Sequence, residues 1–130
     1  MTTALVTGST AGIGAEFARQ LAARGDDLVL VARDQGRLAA QAQELTARYG
    51  VRCEVLPADL AVRADIDAVA ARLGSVEEPI DVLVNNAGFG FTTTLLDADT
   101  RELERALDVM ALAPMLLGGA AGRAMASRGR

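Results

Sequence analysis

Three glycines near the amino terminus, Gly8, Gly12 and Gly14, have the types and spacing of an anion-binding turn. They follow a short apolar run and precede a helical pattern. The first N–H groups of a helix have no partner within it, and the helix dipole adds partial positive charge there. Because glycine lets the backbone come close to a ligand, this turn predicts a phosphate site.

The spacing of these glycines is G-x-x-x-G-x-G, whereas the general dinucleotide fingerprint is G-x-G-x-x-G. An ordinary strand-to-helix connection is therefore an alternative interpretation of the turn taken alone. Further chemistry along the chain is needed to decide between the two.

Arg33 stands about 20 residues past the glycines, where an acidic side chain usually meets a free ribose 2′-hydroxyl. A guanidinium there suits a 2′-phosphate, which favours NADP over NAD. A solvated surface charge is the alternative for Arg33. The neighbouring Asp34 would repel a phosphate if it pointed into the site, and we interpret it as the cap of the next helix.

The elements that must position these residues alternate along the chain. Short apolar runs predict four strands, Ala4–Val6, Leu28–Val31, Arg52–Leu56 and Ile80–Val84. Apolar residues at helical spacing predict four helices, marked by Ile13, Phe17, Ala18 and Leu21; by Leu38, Ala42, Leu45 and Tyr49; by Ile66, Val69, Ala70 and Leu73; and by the stretch from Thr100 to Ser127. Alternation with short turns predicts an α/β, Rossmann-like doubly wound parallel sheet in one domain over residues 1–130. The predicted strand order is 3-2-1-4 with helices on both faces.

Composition narrows the classes of partner. The net charge is −4 without a basic cluster, which argues against a nucleic-acid partner. No apolar run approaches the roughly 20 residues that span a bilayer, so no membrane partner is expected. The single cysteine, Cys53, fits a reducing, cytoplasmic location. There is no histidine and all thirteen basic residues are arginine, so the commonest general base and metal ligand is missing and no metal site is expected.

Two further motifs follow predicted strands: Asp59-Leu60 after the third, and Asn85-Asn86-Ala87-Gly88 after the fourth. Ligands of such sheets bind outside the carboxyl ends of the strands. A plain turn is the alternative for Asn85-Asn86. It does not explain three motifs that occur in the right order and spacing.

Together with the string Thr7–Gly14, these motifs make the chain resemble the short-chain dehydrogenase/reductase family, in its NADP-binding half. The resemblance implies that Asp59 bonds the adenine amine and that Leu60 packs on the ring, while Asn86 to Gly88 flank the adenosine ribose. The implied cofactor contacts are Gly8, Ser9, Thr10, Gly12, Ile13, Gly14, Arg33, Asp59, Leu60, Asn86, Ala87 and Gly88.

The family's catalytic set is not found in these residues. Its Tyr-x-x-x-Lys motif and a preceding serine normally lie later in the chain. Here Tyr49, the only tyrosine, has Cys53 four residues on, and Met110 stands near the position of a further catalytic asparagine. We therefore expect no catalytic residue and a truncated family member that keeps the cofactor-binding half.

Three hypotheses stay open at this stage. The chain is an NADP-dependent oxidoreductase that needs a second polypeptide, or a non-catalytic NADP(H)-binding or dimerising module, or a non-functional truncated product. An unpaired edge of the fourth strand and apolar residues on more than one face of the last helix suggest a homo-oligomer or a complementing chain. Those apolar residues are Leu103, Leu107, Met110, Leu112, Met115, Leu116 and Leu117.

Overall fold

Four parallel strands form the centre of the computed structural model, which describes residues 2–130. Their order is β3-β2-β1-β4, which confirms the predicted 3-2-1-4 order. The elements in chain order are β1 (Thr3–Thr7), α1 (Gly12–Arg24), β2 (Asp27–Ala32), α2 (Gln35–Tyr49), β3 (Cys53–Pro57), α3 (Arg63–Leu73), β4 (Val82–Val84), α4 (Thr100–Leu107), a π-helical segment (Asp108–Leu112) and α5 (Ala113–Arg128).

The two central strands are buried on both faces, as their continuous apolar runs predict. In the parallel register, Leu5 is paired with Val29 on one side and with Leu83 on the other. One layer of apolar side chains separates the sheet from α1 and α2, and a second separates it from α3 and α5. The carboxyl ends of all four strands therefore meet at one edge.

Strand limits differ slightly from the predicted ones. The third strand is shifted by one residue, to Cys53–Pro57. The fourth begins only at Val82, although Ile80 is buried in the core. Pairing with β1 starts at Val82, opposite Ala4, so apolar character alone extends the predicted strand too far.

Helix ends follow the predicted signals. Gly25 and Gly50 end α1 and α2 in the left-handed conformation, with φ of +99° and +71°. The carboxylate of Asp34 accepts a hydrogen bond of 3.1 Å from the backbone N–H of Arg37. Asp34 is thus the cap of α2, as predicted, and its charge is engaged at the helix terminus.

Only part of the apolar face of α1 is buried. Ala18, Leu21 and Ala22 are buried, but Ile13 and Phe17 are 71% and 46% exposed. The first turn of α1 lies at the open edge of the sheet, where the core no longer covers it. The predicted pattern put these two residues on one helical face with Ala18 and Leu21, and Ile13, also a predicted cofactor contact, lines the cleft.

The last helical stretch is interrupted by the π-helical segment and leaves apolar residues on two faces, as predicted. Its inner face packs on α3 through Val109, Ala113 and Leu117. By length and composition Thr100–Arg128 is the one helix in the described residues that could cross a membrane. Of its most apolar 18-residue window, 28% is buried within the chain, and core helices of soluble proteins meet the same criteria.

Candidate cofactor-binding site

A cleft of about 750 Å³ opens at the carboxyl ends of the strands. It is bordered by the glycine turn, the ends of β2 and β3, the loop after β4, and the last helical stretch. The predicted contact residues that line it are Gly8, Thr10, Gly12, Ile13, Arg33, Asp59, Leu60, Asn86, Ala87 and Gly88. Ser9 and Gly14 do not line the cleft and lie behind the turn.

The glycine turn presents bare backbone to this cleft. Gly8 and Gly12 have φ of +64° and +56°, which side chains rarely adopt. A Cβ at Gly12 would meet open space, so the backbone there is accessible from the cleft. At Gly14 a Cβ would overlap the carbonyl oxygen of Gly8 and the amide of Asn86, so only glycine lets α1 start this close to the turn.

Ser9 supports the turn through its side chain instead of facing the cleft. It is fully buried, and its hydroxyl donates a 3.0 Å hydrogen bond to Oε1 of Gln41 on α2. The Gln41 amide donates to the Ser9 carbonyl in return. The pair joins the turn to α2 from behind.

Thr7, which was not among the predicted residues, connects the turn to the loop after β4. Its hydroxyl oxygen accepts hydrogen bonds of 3.0 Å from the backbone N–H groups of both Asn86 and Ala87. The Asn86 amide donates in turn to the carbonyls of Thr7 and Gly8, each at 3.2 Å. Asn86 thereby holds the two loops together. The sequence signal that could have identified Thr7 is its position immediately before Gly8.

Two arginines lie on the wall formed by the start of α2. Arg33 is exposed, and none of the ion pairs within residues 2–130 involves it. Arg37, which the sequence analysis missed, donates a 3.1 Å hydrogen bond to the carbonyl of Thr10 and also lines the cleft. Asp34 caps α2 and also lines the cleft, so this wall carries two guanidinium charges and one carboxylate and offers a net positive charge to an anion.

Next to this wall, beyond the end of β3, the cleft is lined by paired side chains. Asp59 lies 3.4 Å from Arg105 of α4, and its carboxylate accepts a 3.0 Å hydrogen bond from the backbone N–H of Ala61. The Arg105 guanidinium also lies 6.0 Å from the centre of the Phe89 ring. Leu60 is buried beside them, so this end is apolar with one carboxylate acceptor.

Tyr49 and Met110, which the sequence analysis compared with catalytic positions, do not line the cleft. Tyr49 packs at the end of α2, accepts a 3.5 Å hydrogen bond from Arg19 and does not line the cleft. Met110 is in the π-helical segment, and a Cβ at Gly88 would lie 3.6 Å from its sulfur. A thioether there cannot donate the hydrogen bonds of an amide.

Glu16 and Cys53 have shifted pKa values, and neither side chain lines the cleft. Hydrogen bonds from Arg19 lower the pKa of the exposed Glu16 to about 2. Burial raises the pKa of the Cys53 thiol, which favours the protonated, unreactive form.

Proteins similar to this chain include a curated relative and two solved structures. The chain is 40% identical over 108 residues to the very-long-chain 3-oxoacyl-CoA reductase of Anas platyrhynchos. This match covers 82% of this chain and 34% of that protein. It superposes on a short-chain dehydrogenase from Sphingobium yanoikuyae in complex with NADPH with a TM-score of 0.95 and 39% identity, covering 99% of this chain and 50% of the other. For L-sorbose reductase from Gluconobacter frateurii, complexed with NADPH and L-sorbose, the TM-score is 0.90 and the identity 34%, covering 98% of this chain and 49% of the other.

The chain thus spans about a third of the length of the curated relative and about half of the two solved chains. The family model described as short chain dehydrogenase matches residues 2–130. With the parallel sheet, the glycine turn and the cleft at its edge, this match shows that the chain belongs to the short chain dehydrogenase family.

Proposed function

We propose that this chain binds NADP(H) in the cleft and is the cofactor-binding half of a carbonyl–alcohol oxidoreductase. The observation that carries the proposal is the exposed Arg33 guanidinium in the same cleft as the glycine turn. NADPH bound to the relatives from S. yanoikuyae and G. frateurii supports the choice of cofactor.

In this proposal the backbone N–H groups at the start of α1 hold the pyrophosphate, because they have no partner within the helix. Gly12 allows the phosphate to approach the backbone. The guanidinium of Arg33 pairs with the 2′-phosphate, and the capping role of Asp34 keeps its carboxylate engaged at the helix terminus.

The adenine lies next to Arg33, beyond the end of β3. Asp59 accepts a hydrogen bond from the adenine amine, and Leu60 packs against the ring. The loop from Asn86 to Gly88 flanks the ribose. The bonds between this loop and Thr7 fix its position relative to the glycine turn.

When bound, NADPH would supply a hydride to a carbonyl, or NADP⁺ would accept one from an alcohol, and this hydride transfer is the proposed reaction of the whole protein. Residues 1–130 contain no lysine and therefore no Tyr-x-x-x-Lys pair to move the accompanying proton. We therefore propose that residues 1–130 alone bind the cofactor without turnover, and that the proton-transfer groups come from other residues. Turnover of NADPH with any member of a carbonyl panel by the purified chain would overturn this part.

Titration of the chain with NADP and with NAD tests the cofactor assignment. Loss of a charge-assisted contact in Arg33→Ala should weaken NADP binding about tenfold or more, with little change for NAD. Arg48→Ala, near the carboxyl end of α2 and outside the cleft, is the control and should leave both affinities unchanged. Equal affinity of the wild-type chain for NADP and NAD would contradict the role of Arg33.

Exposed apolar surface favours a second proposal, that the chain acts as an associating module. Leu107 and Met115 are 65% and 68% exposed on the last helical stretch, and within residues 2–130 β4 pairs with a strand on one side only. A second copy or a complementing chain would cover this surface. Light scattering of the wild type and of Met115→Glu tests it: a strictly monomeric wild type across the concentration range excludes self-association.

A further inference from the structure

We propose that Arg105 is a positioning residue that makes the base end of the cleft selective for an amine-bearing purine. This inference rests on the proposed function and concerns the recognition of the base. Arg105 reaches from α4 across the cleft to the loop after β3, and both its terminal nitrogens lie 3.4 Å from Asp59 oxygens, Nη1 from Oδ2 and Nη2 from Oδ1.

Asp59 is held from its other sides as well. Its Oδ1 accepts a 3.0 Å hydrogen bond from the N–H of Ala61, and its own N–H donates a 2.8 Å bond to Oδ2 of Asp65. A carboxylate has about four lone-pair sites, so Oδ2 keeps accepting capacity. The Asp59 side chain is 30% exposed and lines the cleft, which leaves it able to accept from a ligand in a fixed orientation.

Arg105 is itself fixed by a second contact. Its guanidinium lies over the ring of Phe89, which packs against the core cluster under the cleft. One side chain of α4 therefore joins two loops that are distant in sequence. Its positive charge also offsets the Asp59 carboxylate, which would otherwise repel a cofactor that carries several phosphate charges.

The surrounding surface suits a flat heteroaromatic ring. Leu60, Phe89 and Val109 give this end of the cleft apolar walls, and Asp59 supplies an acceptor between them. An exocyclic amine can donate to that acceptor, whereas a ring oxo group at the same position would face a carboxylate. The expected ligand is therefore adenine rather than hypoxanthine.

The dissociation constants of the 130-residue chain for NADP and for deamino-NADP, whose base is hypoxanthine, test this inference. Because a hydrogen bond to a charged group is involved, the wild type should prefer NADP about tenfold. Arg105→Met should reduce that preference to about twofold, since the Asp59 carboxylate is then held only by the N–H of Ala61 and can turn about that bond. Arg105→Lys keeps the charge without the two-point contact and should recover part of the preference.

Controls separate orientation from folding and from the proposed function. Arg101→Met, one turn earlier on α4 and outside the cleft lining, should keep the wild-type preference, as should Arg33→Ala. Asp59→Asn should lose the preference, and adding Arg105→Met to it should change the ratio no further. Thermal midpoints equal to that of the wild type show that each variant is folded.

Two results would overturn the inference while wild-type NADP binding stands. In one, Arg105→Met weakens both cofactors by the same factor, which indicates packing alone. In the other, it changes neither affinity. A wild-type chain that binds neither cofactor would overturn the proposed function and this inference with it.

Discussion

The two ends of the cleft are built in different ways. The phosphate end consists of main chain, with Gly14 packed against Gly8 and the turn fixed from behind by Thr7. The base end consists of side chains from separate elements, with Asp59 and Arg105 paired across the cleft.

This difference decides what a substitution damages. Thr7 and Ser9 are buried, so changes near the phosphate end alter packing and backbone hydrogen bonds and act on folding. Asp59 and Arg105 are about one-third exposed, and water partly replaces their contacts when one is removed. Changes at the base end should therefore act on affinity with little cost in stability.

Gly14→Ala should have the largest effect on this comparison. The added Cβ would overlap the Gly8 carbonyl and the Asn86 amide, and because backbone cannot move aside cheaply, we expect a loss of about 3 kcal/mol in the free energy of unfolding. Urea denaturation measures it.

Gly12→Ala is the matched control for that experiment. Its Cβ meets nothing within 4 Å, but its φ of +56° is strained for alanine, so about 1–2 kcal/mol should be lost. An equal loss in the two variants would show that packing behind the turn is not what requires Gly14.

Thr7→Val should have the next largest effect. The substitution keeps the shape but leaves the backbone N–H groups of Asn86 and Ala87 without their shared acceptor, which should cost about 2 kcal/mol in the free energy of unfolding. Thr92→Val, in the exposed loop after β4, should stay within about 0.5 kcal/mol of the wild type. If Thr7→Val is as stable as this control, the Thr7 hydroxyl does not fix the loop.

Substitution of Asp34, which lies on the same wall of the cleft as Arg33 and Arg37, should have the smallest effect of these variants. Asp34→Ala removes the cap of α2 and should cost about 1 kcal/mol, whereas Asp34→Asn keeps a capping oxygen and should be as stable as the wild type. Both substitutions remove a negative charge beside Arg33, so at low salt the variants should bind NADP about twofold more tightly than the wild type. In about 1 M salt, where exposed charges are screened, the variants and the wild type should have equal NADP affinity. Equal destabilisation by Ala and Asn would contradict the capping role.

Much of the fold could be predicted because its signals are local. Continuous apolar runs marked β1 and β2, Gly25 and Gly50 marked helix ends, and Asp34 was correctly identified as a cap. The predicted fourth strand was too long, because Ile80 is apolar and buried but does not pair with β1. Ile13 and Phe17 share the helical period of Ala18 and Leu21 but are exposed, because the first turn of α1 lies at the open edge of the sheet.

The residues of the candidate site also divide into those with a local sequence signal and those whose role depends on tertiary contacts. The phosphate end was predictable because its residues are contiguous and because glycine is required by backbone geometry. Arg37 and Arg105 were missed since a guanidinium on an exposed helix face has no sequence signal for the partner it will meet. Ser9 was assigned to the cofactor, but its hydroxyl bonds Gln41, 32 residues away.

The sequence by itself determined the order of strands and helices, the turn at Gly8 to Gly14 and the charge at Arg33, since each depends on neighbours along the chain. Only the tertiary structure decided that Thr7 binds the loop after β4 and that Arg105 meets Asp59, 46 residues away. Such contacts depend on how the helices pack on the sheet, and that packing is set by the whole core instead of by any one segment.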